Sequence, residues 1–562
     1  MHKTRLFLYG LIWGLLLLAL SLPSQSAVEL SNTGAEYRFG QVKAPPRPLQ
    51  WKVLNTPHFQ IFFYQGLEEL AERCRIILEE EAFARVFPDF KDFYTLTPYR
   101  KIRVILFASR KEYQNSQASG LSLHDTSEGV AHILVNRLVI IGQPTLRDLR
   151  GVLTHEVTHL LTIGPFKDNL LSSLTQGVPG WIAEGIAEYY MPPETRFPRR
   201  EVALRDVVLR DEVDSLEQIS QVRGNLHYAE AWSLVEYLAD QYGREKLARM
   251  LKAVVQEGYT HRTFTRLYGR DLNEIWKDWR EKLDTIYQEG ADFPVYSEGS
   301  TPILAEYRDQ EMVKTTADGR IFFLSNYYGR YYDLCLAEGD KVRPLTDQTV
   351  MAFDLSPDGQ RLIFLSDQEG ERKLYLLSLI TGEITPFVTE VKNPIEIAWS
   401  PQGDELAVVA NEKGDADLYL IGLDGQIRKR IADSLEDETS PAWTPDGRGL
   451  VFISPLHGYD QLYLWEGGSV RLLTRQSFHH RKPIWSKEGK LYCLSGDRGY
   501  YRPAEVDLTT GWATPIWHFR ETVLEVLPQT EDEYLVVLYN KGRTEIYHYT
   551  DAPLERRNDD AG

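Results

Sequence analysis

Cysteine is scarce in this chain, and so is positive charge. Only three cysteines occur among 562 residues, Cys74, Cys335 and Cys493, and their spacing fits neither a metal site nor a disulfide framework. We expect all three to be buried as small apolar side chains. The formal net charge is −18, with 81 acidic against 63 basic side chains. Because phosphate binding needs a basic surface, this balance excludes nucleic acid as a partner.

Long apolar runs are absent after the first 22 residues, which leaves no membrane span beyond the N-terminal segment. Residues 1–27 combine a basic start, an apolar run from Leu6 to Leu22 and small residues at Ser24–Ala27, which is typical of a signal peptide. We expect cleavage after Ser26 or Ala27 and an exported protein, periplasmic or secreted. The alternative is an uncleaved membrane anchor, since 17 apolar residues can span a thin bilayer.

The length predicts at least two domains, because 562 residues exceed what one hydrophobic core holds. After the signal segment we place a lead-in at 28–50, an α+β domain at 51–292, a repeat region at 300–550 and a polar tail at 551–562. Alternating and β-branched residues predict strands at His58–Tyr64, Arg100–Ala108 and Val130–Ile141. Helical spacing predicts helices at Leu67–Phe87, ending before Pro88, and at Tyr228–Gln241 and Leu272–Tyr287.

A repeat of 40 to 44 residues fills the region from about 300 to 550. Turns of the Ser-Pro-Asp-Gly type start at Ser356, Ser400, Thr444 and Ser486, in steps of 44, 44 and 42 residues, and Thr316 begins a similar turn 40 residues earlier. Several short strands at this period predict an all-β propeller, for which we expect six blades.

The propeller turns are preceded by tryptophan in three units, at Trp399, Trp443 and Trp485. This pattern resembles the TolB-like propeller family over about residues 300–550. The resemblance implies a fold and a recognition surface, which we expect to bind substrate or an envelope protein partner. It implies no chemistry. We expect the repeated tryptophans to pack between blades.

The segment Thr154–His159 carries the pattern His-Glu-x-x-His inside a helical run. Four residues along a helix turn through about 400°, so His155 and His159 lie on one face and can bind the same zinc ion. Glu156 is placed beside the metal, where a base for a water molecule is needed. A chance match on a surface helix is the alternative. The residues around the two histidines, apart from Glu156, are uncharged, as expected of a buried helix rather than a surface helix.

A third ligand is required, because zinc hydrolases use three protein ligands and leave a fourth position open. The segment Trp181–Tyr189 contains Trp-x-x-Glu-Gly-x-Ala, which resembles gluzincin aminopeptidases and, more closely, the peptidase-MA-like family. The resemblance spans about residues 50–290 and implies a zincin-like fold with one Zn2+ ion. It also implies that the third ligand is Glu184, with 24 residues between it and His159.

Three further side chains are candidates for supporting roles. Tyr228 opens a helix where the aminopeptidases place a tyrosine that stabilises the oxyanion, although the Lys-Gly that follows in those enzymes is absent here. His227 is the substitute donor. Glu188, one helical turn after Glu184, can accept the free ring N–H of a metal-binding histidine. Packing or salt-bridging roles remain open for Tyr228 and Glu188.

These features together predict an exported zinc metallopeptidase that hydrolyses a peptide bond in a peptide or protein. Glu156 is the expected base, and the strand near Ala131–Val135 the expected partner of an extended substrate. Two alternatives remain. One is an envelope binding protein in which the propeller acts and the metal site is structural or inactive, and the other is a zinc hydrolase with a non-peptide substrate.

Overall fold

The computed structural model describes residues 49–95, 99–116, 129–142, 144–166, 178–195, 198–221, 224–304, 309–326, 332–339, 341–368, 371–412, 414–432, 434 and 436–550. The predicted signal segment and the polar tail lie outside these residues. Within the described ranges, no helix has the length and apolar character that a membrane crossing requires. All three cysteines are buried and unpaired, as the sequence predicted.

A five-stranded sheet begins the first domain. Its strands are β1 (Trp51–Asn55), β2 (Phe59–Tyr64), β3 (Ile102–Phe107), β4 (Gly129–His132) and β5 (Arg137–Ile141). Their order is β1-β2-β3-β5-β4; β2, β3 and β5 are parallel, whereas β1 and β4 pair antiparallel to their neighbours. Strand β4 therefore forms one edge of the sheet.

The edge hairpin corrects the prediction of one strand over Val130–Ile141. Strand β4 stops at His132, a 3-10 turn covers Ile133–Val135, and β5 begins only at Arg137. Asn136 reverses the chain with φ 50°, a left-handed conformation that asparagine tolerates better than the β-branched residues around it. The apolar run thus concealed a turn and two antiparallel strands.

Helices surround one face of the sheet and fill the rest of the first domain. They are α1 (Glu68–Ile76), a π-helical segment (Ile77–Phe83), α2 (Ala84–Phe90), α3 (Arg110–Ser116), α4 (Leu146–Thr162), α5 (Gly180–Tyr190), α6 (Pro198–Leu209), α7 (Leu216–Ile219), α8 (Gly224–Tyr242), α9 (Glu245–Glu257), α10 (His261–Tyr268) and α11 (Leu272–Ile286). A short helix α12 (Tyr296–Gly299) follows in the connection to the second region. Short 3-10 turns occur at Lys91–Tyr94, Gly164–Phe166 and Pro193–Thr195. Most of these helices share one core with the sheet, in which Trp181 and Trp279 are fully buried, whereas Tyr113 of α3 belongs to a smaller cluster on the other face of the sheet.

The first helical region corrects a second prediction, that the helix ends before Pro88. Helix α2 includes Pro88 and continues to Phe90. Proline in a helix interior removes one backbone hydrogen bond. Phe90 is completely buried and packs edge-on against Tyr190, so tertiary packing offsets that loss.

The second region forms a six-bladed β-propeller, which confirms both the fold and the number of blades. The blades are β6–β9 (Glu311–Thr315, Ile321–Ser325, Asp333–Glu338, Lys341–Pro344), β10–β13 (Ala352–Leu355, Arg361–Ser366, Lys373–Ser378, Ile384–Phe387), β14–β17 (Pro394–Trp399, Glu405–Asn411, Ala416–Gly422, Ile427–Arg430), β18–β21 (Thr439–Trp443, Gly449–Leu456, Tyr459–Glu466, Ser469–Leu472), β22–β25 (His479–Trp485, Leu491–Asp497, Tyr500–Val506, Ala513–Pro515) and β26–β28 (Thr522–Pro528, Glu533–Asn540, Arg543–Thr550). Each blade is an antiparallel sheet.

The repeated tryptophans pack within the propeller as expected. Trp399 and Trp443 are buried, and the Trp443 indole donates a hydrogen bond of 3.1 Å to the Ala398 carbonyl of the preceding blade. The sixth blade has three strands, and the chain leading into the first blade contacts its last strand through a hydrogen bond of 2.8 Å from Ile303 N to Ile546 O. The ring is thereby closed.

Candidate metal centre

Helix α4 carries the His-Glu-x-x-His pattern and is buried along most of its length. Thr145 caps its start, because the Thr145 hydroxyl accepts the Asp148 amide hydrogen. His155 and His159 lie one turn apart, and their Nε2 atoms are 3.1 Å from each other. Their side chains are 13% and 11% exposed, so both face a largely closed site.

Helix α5 brings Glu184 to the same point. Its Oε2 atom lies 3.2 Å from His155 Nε2 and 3.4 Å from His159 Nε2. The next residue, Gly185, allows α5 to approach α8 closely, since a Cβ there would stand 2.5 Å from the Ala231 carbonyl oxygen. The Glu-Gly pair in the motif therefore has a structural reason: the carboxylate faces the histidines, and the glycine packs against the helix behind it.

The donor set fits a zinc ion. A tetrahedral site with bonds of about 2.0–2.1 Å requires ligand atoms about 3.3–3.4 Å apart. The three atoms of His155, His159 and Glu184 form a triangle with sides of 3.1, 3.2 and 3.4 Å. Two imidazoles and one carboxylate are also the ligand types that catalytic zinc sites use.

Glu188 lies beneath His155 on the side away from the triangle. Its Oε1 atom is 3.0 Å from His155 Nδ1, and its other oxygen accepts a short hydrogen bond from the Arg200 guanidinium. The Glu188 side chain is only 3% exposed. When His155 is neutral, a proton held at Nδ1 by Glu188 leaves the Nε2 lone pair free to bind a metal ion.

The two carboxylates of the site are held in their charged form. Burial alone would raise the pKa of Glu184, but the charge of His159 and the hydrogen bond with His155 hold it far below its usual range. Burial likewise opposes ionisation of Glu188, and the contacts with His155 and Arg200 again lower its pKa. For His155, burial lowers the pKa, yet the hydrogen bonds to Glu184 and Glu188 outweigh burial and raise it to about 10. Both carboxylates are thus anionic at neutral pH, as metal binding requires.

Glu156 is directed towards the edge strand. Its Oε2 atom accepts a hydrogen bond of 2.7 Å from the Ala131 amide of β4. Gly129 makes room for this approach, because a Cβ at that position would lie 2.7 Å from Val152 and 3.3 Å from Glu156 Cγ. The predicted base and the predicted substrate-binding strand are therefore in direct contact.

Tyr228, in the first turns of α8, lies beside the centre. Its ring centroid is 6.3 Å from that of His155, and the Arg200 guanidinium stacks over its ring at 4.6 Å. Burial, reinforced by the negative charge of Glu184, raises the Tyr228 pKa to about 12. The phenol consequently keeps its proton at neutral pH and remains a hydrogen-bond donor.

His227 precedes Tyr228 and belongs to a second polar cluster. Its Nε2 atom lies 3.0 Å from Asp214 Oδ2, and the Asp214 amide donates a hydrogen bond of 2.9 Å to Glu230. Sequence analysis named neither Asp214 nor Arg200, since both come from segments without a motif. The His-x-x-Glu spacing of residues 227 and 230 was the one available signal, because residues three apart share a helix face.

The structure joins an α+β domain, which carries the cluster of candidate metal ligands, to a β-propeller, and comparison with protein families agrees with both parts. Residues 96–285 match the family model of the peptidase MA superfamily, and residues 312–543 match that of the TolB β-propeller domain. The chain therefore consists of a peptidase MA superfamily domain followed by a TolB-type propeller. No curated protein matches the chain.

Solved structures show similarity to parts of the chain. A TolB-type protein from Agrobacterium tumefaciens is 22% identical over 36% of this chain and 74% of its own, with a TM-score of 0.32. TolB from Acinetobacter baumannii is 19% identical over 50% and 71%, with a TM-score of 0.31. The propeller domain of the Trilobed protease from Pyrococcus furiosus is 13% identical over 43% and 95%, with a TM-score of 0.32. Similarities this weak carry no argument about function.

Proposed function

We propose that this protein is a zinc metallopeptidase in which His155, His159 and Glu184 bind one zinc ion and Glu156 is the catalytic base. The triangle of ligand atoms with sides of 3.1 to 3.4 Å is the observation that carries the proposal. A structural ion would be expected to have four protein ligands, whereas this set of three leaves one position for reactants.

A zinc ion bound there would supply Lewis acidity, polarising the scissile carbonyl and acidifying a water molecule. Glu156 would accept the proton of that water and deliver it to the leaving amine. Tyr228 would donate its phenolic hydrogen bond to the developing oxyanion, with His227 as the alternative donor. Glu188 would keep the His155 proton at Nδ1 throughout.

Strand β4 supports a peptide as the substrate. Among the residues that the structure describes, β5 is its only hydrogen-bonded neighbour, and an extended peptide can add to such an edge. The contact between Ala131 and Glu156 places this edge next to the proposed base. A peptide bond in a strand added to β4 would thus lie close to both the metal ligands and the base.

The propeller and the N-terminal sequence support an exported enzyme with a recognition module. The repeat surface would bind the substrate protein or an envelope partner. Residues 1–27 have the composition of an export signal, and a mature chain beginning near Ala27 or Val28 is expected in the periplasm or medium. N-terminal sequencing of the protein from an envelope fraction tests this, and an intact Met1 in the membrane fraction would indicate an anchored protein instead.

Digestion of a peptide library by the full-length, zinc-loaded protein tests the activity. We expect cleavage by the wild type and none by Glu156→Gln, whose amide cannot accept a proton. Internal and terminal cleavage sites would separate an endopeptidase from an exopeptidase. Zinc bound at one equivalent without any cleavage would contradict the proposal and favour a binding protein with an inactive metal site.

A further inference from the structure

The propeller contacts the start of the helix that carries both histidines. Asp437, in the loop between the third and fourth blades, accepts the backbone amide hydrogens of Leu146 at 2.8 Å and Arg147 at 2.9 Å. Thr145 accepts the next one, from Asp148. The first three amides of α4 are therefore satisfied, two of them by a residue about 290 positions later in the chain.

Asp437 is itself buried and also bonded to the propeller. It is 6% exposed, and its Oδ1 atom also accepts the Ala416 amide hydrogen of β16 at 2.9 Å. One carboxylate thus joins a propeller strand to the N-terminal turn of α4. A negative charge at this position also interacts favourably with the positive end of the helix dipole.

Other polar contacts surround this junction. The Arg147 guanidinium pairs closely with Asp460, a buried residue that Arg481 also binds at 2.8 Å. Asn411 donates a hydrogen bond of 3.1 Å to the Pro144 carbonyl. Residues 144–147 are thereby fixed by side chains from the third and fourth blades and the loop between them.

The same face of the propeller reaches two more helices next to the metal centre. A cavity of about 480 Å³ lies between the domains, lined from the first domain by Arg147 of α4, Arg199 of α6 and Asn225 of α8. Helix α6 also provides Arg200, the partner of Glu188, and α8 provides Tyr228. Each of these helices therefore has one side chain at the propeller and another at the centre.

We propose that the propeller is a structural part of the metal centre, with Asp437 as a positioning residue that fixes α4, and hence the two histidines, relative to Glu184 on α5. This inference rests on the proposed zinc site. Its physical basis is that loss of Asp437 leaves two buried amides of α4 unpaired. The first turn would then fray, and the histidines would be less well placed to meet Glu184.

The test compares Asp437→Asn and Asp437→Ala with a matched control in the full-length protein. The control is Glu521→Gln, because Glu521 accepts the amides of Tyr296 and Ser297 at 3.1 and 2.8 Å in the same way, but at the short helix α12. Zinc affinity is measured by chelator competition, hydrogen exchange reports the first turn of α4, and kcat and KM are measured at saturating zinc.

We expect Asp437→Ala to bind zinc about five-fold more weakly, the factor that corresponds to about 1 kcal/mol for a lost helix cap. Exchange in the first turn of α4 should be faster, and kcat should fall while KM stays close to the wild-type value. Asp437→Asn should show a smaller effect in the same direction. Glu521→Gln should leave zinc affinity and kcat unchanged.

Two results would overturn the inference. One is Asp437→Ala with wild-type zinc affinity and exchange in α4, and the other is an equal loss of affinity in Glu521→Gln, which would indicate a general loss of stability. If Asp437→Ala does not fold, Asp437→Asn decides by the same criteria. A wild-type protein that binds no zinc would instead refute the proposed function, so the two failures are distinguishable.

Discussion

Replacement of Glu188 probes how the site orients a metal ligand. Glu188 contacts His155 Nδ1 at 3.0 Å and pairs with Arg200, and its side chain is 3% exposed. Glu188→Gln keeps an acceptor for the Nδ1 proton but removes the charge that makes this hydrogen bond strong. It also leaves the Arg200 cation near the proposed zinc site without its carboxylate.

The magnitude follows from the strength of such contacts. Partners of metal-binding histidines are worth about 10- to 100-fold in metal affinity, or about 1.4 to 2.8 kcal/mol. Glu188→Gln should lie near the lower limit and Glu188→Ala near the upper one, because alanine removes the acceptor as well. Turnover at saturating zinc should persist in Glu188→Gln, since the ligands and the base remain.

Chelator competition measures the affinities, and Glu79→Gln is the matched control. Glu79 pairs with His58 Nδ1 at 2.6 Å, so the control removes the same kind of histidine–carboxylate contact from a pair outside the proposed ligand set. We expect it to leave zinc affinity unchanged. Complete loss of zinc in Glu188→Gln, with full retention in Glu184→Ala, would refute the reasoning and move the third ligand one helical turn along α5.

Three more predictions concern packing, pH and the oxyanion. Gly185→Ala should lower the free energy of unfolding by about 1–3 kcal/mol, because its Cβ would stand 2.5 Å from a backbone oxygen, whereas Gly164→Ala, with open space around it, should change little in the same thermal denaturation. Burial raises the pKa of Glu230 to about 8, so folding favours its protonated form. The free energy of unfolding should therefore fall as pH rises from about 4.5 to 8, by at most about 1.4 kcal/mol per pH unit. Glu230→Gln should flatten this profile in denaturant titrations, and an unchanged slope would show that Glu230 is not the group responsible. Tyr228→Phe should keep zinc and KM while kcat falls by about 10- to 1,000-fold, and an unchanged kcat would assign the oxyanion contact to another donor.

The sequence predicted those features that depend on local spacing. Two histidines four residues apart on a helix must share a face, and their Nε2 atoms are indeed 3.1 Å apart. Turns at a period of 40 to 44 residues predicted six blades, which the strand order confirms. The resemblance around Glu184 led to a carboxylate that the structure places within 3.4 Å of both histidines. Its role as a ligand stays a prediction.

Contacts between distant segments could not be predicted in the same way. Arg200 and Asp437 meet Glu188 and α4 only because the tertiary fold brings separate helices and the propeller together. The prediction of a single strand over Val130–Ile141 was wrong because β-branched residues favour strands on both sides of a turn. Asn136 was the one residue that marked the reversal. A single sequence contains no signal for such pairings.

The most direct test of the central claim measures zinc content and peptide hydrolysis together in Glu156→Gln and Glu184→Ala. A ligand and a base fail differently, because loss of a ligand releases metal whereas loss of the base stops the reaction with metal in place. We predict about one equivalent of zinc and no hydrolysis for Glu156→Gln, and loss of both zinc and hydrolysis for Glu184→Ala. An active Glu156→Gln protein, or a Glu184→Ala protein with full zinc content, would contradict the account.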